Sequence, residues 1–231
     1  MKILAIDTTS PAGSVALLES RAVLGLVASV EDEPYSSRLH RDVERLLRET
    51  HTALPQVELY AVAAGPGSFT GVRVGLAAVK AWAEVYGRPV AGVSALEAMA
   101  AQADAREPLV AGVADAHRGQ FFAGLYERAG DCLRRRGEDV VLPPGECLAY
   151  LVEQAAGQEF LIRSTTTDIV RAAVAASPHE MIRVEAADQA LALAIGRLGY
   201  SRAQRGELGD ALSLDAHYVR RSDAELLWKD R

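Results

Sequence analysis

Asp7, Thr8, Thr9 and Ser10 stand where a continuous apolar run, Ile3 to Ile6, gives way to a turn. An aspartate at the end of a buried strand, followed by hydroxyls in a tight turn, can face a metal-bound phosphate and donate hydrogen bonds to it. The same aspartate can instead cap its own turn, and these residues alone do not choose between the two. Arg118, in ADAHRGQFFAGLY (114–126), sits in a second such turn with Asp115 and His117, placed to reach a phosphate across a cleft or to pair with a carboxylate. A further anion candidate is AAGPGSFTGVRVG (63–75), a glycine-rich connection leading into a helix. Free N–H groups at a helix start suit an anion, and glycines suit close packing equally well. It is not a P-loop: GxxxxGK[ST] is absent, and Lys80 lies too far along the helix.

Other chemistries find no support. The five histidines, His40, His51, His117, His179 and His217, include no HExxH pair, so no metal site is expected. Cys132 and Cys147 have neither redox nor zinc spacing. Ser68 follows Gly65-Pro66-Gly67 rather than a GxSxG elbow, which argues against a serine hydrolase.

The 231 residues carry 25 Lys and Arg against 31 Asp and Glu, a net charge of −6, with 49% hydrophobic residues. Such a chain folds, as one large domain or two small ones. The one basic run, Arg134 to Arg136, is bracketed by Asp131, Glu138 and Asp139, so direct nucleic-acid binding is not expected. Neither a signal peptide nor a membrane-length apolar run stands out, and a cytoplasmic location is expected.

The elements that must position these residues begin with a strand, a turn and two more strands over residues 2–31. A meander at this point, without GxGxxG, excludes a dinucleotide fold. Leu39, Val43, Leu46 and Leu47 give the next segment one helical stripe. Leu59 to Ala64 reads as a buried strand, and the helix from Ser68 to Tyr86 has two apolar stripes. Val72, Leu76, Val79, Ala83 and Tyr86 form one; Val74, Ala78, Ala81 and Val85 form the other. Two stripes predict a helix covered on both sides, either by its own chain or by a partner subunit. A strand at Pro89–Val93 precedes a helix capped by Ser94, with Glu97 at the capping-box position. A polar stretch near 102–107 predicts a boundary, giving domains 1–104 and 105–231. From Leu109 the strand–turn–strand–strand theme restarts. Later elements are a helix at Gly145–Ala156, a strand at Phe160–Arg163, and helices at Ile169–Ala176 and Ala187–Leu198. A short amphipathic tail carries Trp228.

Five segments together resemble one family: ILAIDTTSPAGSVAL from Ile3, GPGSFTGVRVGLAAVKAWA from Gly65, VAGVSALEAMA from Val90, DAHRGQFFAGLY from Asp115 and YVRRSDAEL from Tyr218. They resemble the TsaB family, also called YeaZ, closely over residues 1–127 and loosely over about 128–210. The resemblance implies an α/β chain of the ASKHA type (actin-like ATPase, RNase H-like), with two related domains, each a mixed sheet flanked by helices. It implies a partner subunit without its own catalysis, binding the TsaD transferase in N6-threonylcarbamoylation of adenosine 37 on tRNAs that read A-starting codons. TsaE would join that complex, ATP or ADP and Mg would act at the level of the whole complex, and tRNA would be met only through it. A homodimer would replace the pairing when TsaD is missing. TsaD-type chains carry an HxxxH metal helix, whereas here His40 is followed by Glu44, so no metal and no catalytic residue is implied. The implied interface is Leu39, Val43 and Leu46 with Gly71, Val72, Gly75, Leu76 and Val79. Asp7, Thr8, Thr9 and Arg118 would be the vestige of a phosphate site. The competing reading is a small ASKHA-type ATP-dependent sugar or acyl kinase, carried by Asp7 and Thr8.

Overall fold

The N-terminal apolar run forms β1 (Lys2–Asp7), and the turn after it leads into β2 (Ser14–Glu19) and β3 (Ala22–Ala28). The computed structural model describes residues 1–28, 33–130, 132–179 and 181–220. β4 (Leu59–Gly65) and β5 (Val90–Ser94) complete a sheet of order β3-β2-β1-β4-β5, antiparallel from β1 to β3 and parallel from β1 to β5. A second sheet repeats the plan with β6 (Leu109–Asp115), β7 (Phe121–Ala129), β8 (Cys132–Leu142), β9 (Phe160–Ser164) and β10 (Ile182–Ala186). Its order, β8-β7-β6-β9-β10, again has an antiparallel meander on one side of the central strand and parallel strands on the other. The restart expected at residue 109 is therefore a repeat of topology.

β1 and β4 are buried on both faces, which is why their sequences run apolar without alternation. α1 (Tyr35–Glu49) and α2 (Phe69–Tyr86) cover one face of the first sheet. Ser68 caps α2, its Oγ accepting from Gly71 N at 3.3 Å, and Gly87 ends the helix at φ +60°. α6 (Ala192–Gln204) covers the other face, with Gly196 against Leu18 and Ala5 and Gly199 against Ala61. In chain order α6 lies beyond residue 104, yet in space it belongs to the first sheet. α3 (Ala95–Ala100) packs between the sheets, and α4 (Pro144–Ala155) and α5 (Thr167–Ala175) cover the second.

β10 has no counterpart in the sequence reading, because Ile182, Arg183, Val184, Glu185 and Ala186 are too few to show a period. The helix expected from Ala187 starts at Ala192, since Ala187 N still donates to Ser164 O at 2.8 Å on the strand edge. The amphipathic tail with Trp228 lies outside the described residues. Among the described residues no helix is long and apolar enough to cross a membrane.

Candidate functional site

The turn after β1 is closed from within. Asp7 Oδ1 accepts from Thr9 N at 2.9 Å and Thr9 Oγ1 at 2.6 Å. Thr8 Oγ1 donates to Gly71 O at 2.7 Å, and Ser68 N donates to Thr9 O at 2.7 Å. The hydroxyls of Thr8 and Thr9 are therefore committed inside the protein. The glycines from residue 67 onward serve packing: a Cβ at Gly67, Gly71 or Gly75 would collide with Thr9 O, Thr8 O or Thr8 Oγ1 respectively. From the other side α1 fills the remaining space. Arg38 is fully buried, its Nη2 donates to Pro11 O at 2.5 Å, and its guanidinium lies 4.0 Å from the centre of the Tyr35 ring. Tyr35 in turn packs where a Cβ on Gly13 would stand.

Asp7 is completely buried, and desolvation pushes its carboxyl above the usual range although the two Thr9 bonds pull it down. Its Oδ2 has no hydrogen-bond partner among the described residues. A magnesium–phosphate group needs an accessible, ionised carboxylate with uncommitted donors around it. The residues present do not fit one. Arg118 stands exposed at φ +56° in the turn between β6 and β7, outside the hydrogen bonds at Asp7. The four residues expected at one phosphate site thus form one closed turn and one separate arginine.

α1 and α2 place their stripes unequally. Leu39, Val43, Leu46, Val72, Leu76 and Val79 all lie in one core with Leu4, Ile6, Leu17 and Val62. Gly71 and Gly75 are buried against the Thr8 turn. These eight positions face the chain's own interior. The second stripe points outward: Val85 is 73% exposed, Ala81 is exposed and Val74 is half-buried, while Ala78 turns in. Phe69, Arg73 and Ala77 extend this outer face. The Arg73 guanidinium lies 3.7 Å from the Phe69 ring centre, and its Nε donates to the Tyr218 hydroxyl at 3.0 Å. Trp82 is flanked by His40 of α1, edge-on at 5.8 Å, and by Tyr60 at 6.0 Å. α1 adds His40, Glu44 and Arg48 to the outer surface.

Two further charged positions take other roles than the sequence suggests. Ser94 caps α3 through Leu96 N at 3.2 Å, but Glu97 leaves the capping box and meets Arg202 of α6 at 2.5 Å. Asp139, read as one of the charges around a basic run, is buried between the two sheets. Its signal was Gly124 in the middle of an otherwise apolar strand, a mark of a bulge or close approach. Among the described residues no group of three or more His, Cys, Asp or Glu could hold a metal ion.

The paired sheets of like topology are those of the actin-like ATPase architecture. The ROK hexokinase of Thermus thermophilus superposes with a TM-score of 0.53 at 15% identity over 88% of this chain and 99% of that one, a likeness of fold alone. Residues 19–202 match the family described as TsaD: tRNA N6-adenosine threonylcarbamoyltransferase. The chain is 32% identical over 166 residues to the tRNA threonylcarbamoyladenosine biosynthesis protein TsaB of Bacillus subtilis, covering 72% of each. YeaZ from Pseudomonas aeruginosa superposes with a TM-score of 0.78 at 28% identity, over 94% of this chain and 99% of that one. The chain belongs to the TsaB (YeaZ) family.

Proposed function

We propose that this chain is a partner subunit in threonylcarbamoyladenosine biosynthesis on tRNA, performing no covalent step itself and binding a TsaD-type transferase through the outer faces of α2 and α1. The observation that carries this reading is the division of labour on α2. Its inner backbone occludes the turn at Asp7, and its outer face presents Ala77, Ala81 and Val85 to solvent, with Val74 half-buried at the edge of that face. Small side chains let a partner helix approach closely, and the aromatic and arginine cluster of Phe69, Arg73 and Tyr218 supplies residue types that anchor protein interfaces. The eight inward positions, Leu39, Val43, Leu46, Gly71, Val72, Gly75, Leu76 and Val79, then set the two helices on the sheet.

In this reading ATP and Mg are handled by other members of the complex, TsaE among them, and tRNA is met through the complex. Without the transferase the same face pairs with a second copy. The competing kinase reading is disfavoured by the burial of Asp7 and the commitment of Thr8 and Thr9.

The test is a reconstitution from one organism: TsaD, TsaE, the enzyme that makes threonylcarbamoyl-adenylate, ATP, threonine, bicarbonate and tRNA, with and without this chain. Modified adenosine that depends on the chain, together with co-elution of the chain and TsaD at equal stoichiometry, supports the reading. Full modification without it, and no co-elution, discards it.

A further inference from the structure

Between the two sheets, bordered by β5, β7 and β8, lies an open cleft of about 500 Å³, and the chain crosses it after α6. Residues 214–220 form neither helix nor strand, yet over that short length they grip both units. On the first, Leu214 is buried where a Cβ on Gly92 of β5 would press on it. His217 N donates to Ala64 O at the end of β4 at 2.7 Å, and a Cβ on Gly65 would collide with His217 O. The Tyr218 ring packs on Phe69 of α2 with centres 5.3 Å apart, and its hydroxyl accepts from Arg73 Nε.

The same residues and their neighbours hold the second unit. His217 Nε2 lies 3.1 Å from Asp139 Oδ2, a carboxylate turned inward where Gly137, Glu138 and Asp139 of β8 oppose Gly124 alone on β7. Val219 packs on the cluster of Phe122, Tyr126 and Leu161. Arg220 donates to Ala116 O at 2.8 Å and to Gln120 Oε1 at 2.5 Å, and its guanidinium lies 5.5 Å from the centre of the Phe122 ring. Tyr218 and Val219 are thus neighbours in the chain that hold opposite sides.

These anchors are few and partly open to water: Tyr218 is 46% exposed. A segment held in this way opens locally at a small fraction of the cost of global unfolding. At α3, by contrast, the two units are packed so closely that a Cβ on Gly112 of β6 would collide with Leu96 O. A change in the spacing of the sheets therefore pivots at α3 and is taken up across residues 214–220.

We infer that residues 214–220 are a strap that couples the outer face of α2 to the spacing of the two sheets. The inference rests on the partner reading above, because Tyr218 belongs both to the strap and to the cluster with Phe69 and Arg73 offered to the transferase. A protein that covers this cluster binds the docked strap better than the released one, and by reciprocity it holds the cleft at its docked width. Binding on the first unit is thereby felt in the second.

The test follows hydrogen exchange at the His217 amide in the full chain, free and saturated with the TsaD-type transferase of the same organism. In the free chain Tyr218→Ala and Arg220→Gln, which release opposite ends, should each speed that exchange. In the complex the parent's exchange should slow about fivefold or more. Asp139 has a side chain only 1% exposed inside the cleft, out of a partner's reach. Asp139→Asn should nevertheless speed exchange at His217 and weaken transferase binding about fivefold or more. Should that variant fail to fold, Arg220→Gln is measured for affinity in its place. A complex with unchanged His217 exchange, or with undiminished affinity in the folded variant, overturns the strap and leaves the partner reading standing. No complex at all overturns both, and free-chain exchange that Tyr218→Ala and Arg220→Gln leave untouched overturns the strap without reference to the transferase.

Discussion

Thr8 Oγ1 donates to the carbonyl of Gly71 at 2.7 Å, joining the first turn of the chain to the first turn of α2 across 63 residues. The contact needs both partners to be what they are. A hydroxyl must reach out of the turn, and a residue without a side chain must let the helix backbone come that close. It commits the Thr8 hydroxyl to an internal hydrogen bond.

The tightness of that contact sets a first expectation. Gly71→Ala forces a methyl group into the Thr8 carbonyl and is expected to cost about 1–3 kcal/mol. Ala77→Ser, on the exposed face of the same helix, should stay within about 0.5 kcal/mol of the parent. Urea unfolding of both variants reads the difference, and equal midpoints would refute the packing role of Gly71.

Asp7 makes stability depend on pH with a definite sign. Its carboxyl is raised in the folded state, chiefly by desolvation. The folded state therefore holds a proton that the unfolded chain releases near its ordinary carboxylate range, and this contribution falls as pH rises through the folded value. Asp7→Asn keeps an oxygen for the two Thr9 bonds and removes the ionisation. We expect it to equal or exceed the parent at neutral pH and to lose its advantage in acid. Asp7→Ala forfeits the Thr9 bonds and should cost about 1–3 kcal/mol in acid, and less as pH rises and the parent loses its own Asp7 contribution. Denaturant midpoints between pH 4 and 8 decide; a parent that gains stability relative to Asp7→Asn on going to neutral pH contradicts this account.

Charges on the two stripes of α2 should have opposite consequences. Leu76→Glu puts a carboxylate in the sheet-facing core and is expected to unfold the chain or cost several kcal/mol. Ala81→Arg and Val85→Glu stand on the outer face and should leave the melting temperature nearly unchanged while abolishing co-elution with the transferase. A complex that survives both outer substitutions would move the interface elsewhere.

Arg202 and Glu97 tie α6 to α3 at 2.5 Å. Burial raises Glu97, with the neighbouring guanidinium opposing that shift, so removing Arg202 leaves a poorly solvated carboxyl behind. Arg202→Met is expected to cost about 2 kcal/mol, and adding Glu97→Gln should recover part of the loss. A double-mutant cycle measures the coupling, and strictly additive effects would show that the pair is merely adjacent.

Helical periods and the two stripes of α2 were legible from the amino acids because the 3.6-residue repeat is written locally. Which stripe faced inward was not, since both are apolar and only the position of the sheet separates them. The turn at Asp7 was recognisable as a site, but its closure depends on Gly71 and Tyr35, which lie 64 and 28 residues away in sequence. The eight helix positions expected at a partner surface were likewise apolar for an internal reason. Asp139 was hidden for a different reason. In the run RRRGED it looks like one more solvated charge, and its burial depends on how β8 pairs with β7 across Gly124. α6 was displaced because alanine and glycine give its sequence little hydrophobic contrast.

The obstruction at Asp7 is made largely of helix backbone, and that gives it a direction in time. On the α2 side no side chain can be trimmed to reopen the turn, because what stands over Thr8 and Thr9 there is the backbone at the start of α2 itself. A descendant taking up phosphate chemistry at this turn would have to withdraw the very helix that carries its outward stripe, losing the placement of that face before gaining room for a phosphate. Small steps in that direction lose one property without yet gaining the other, so the geometry works as a ratchet.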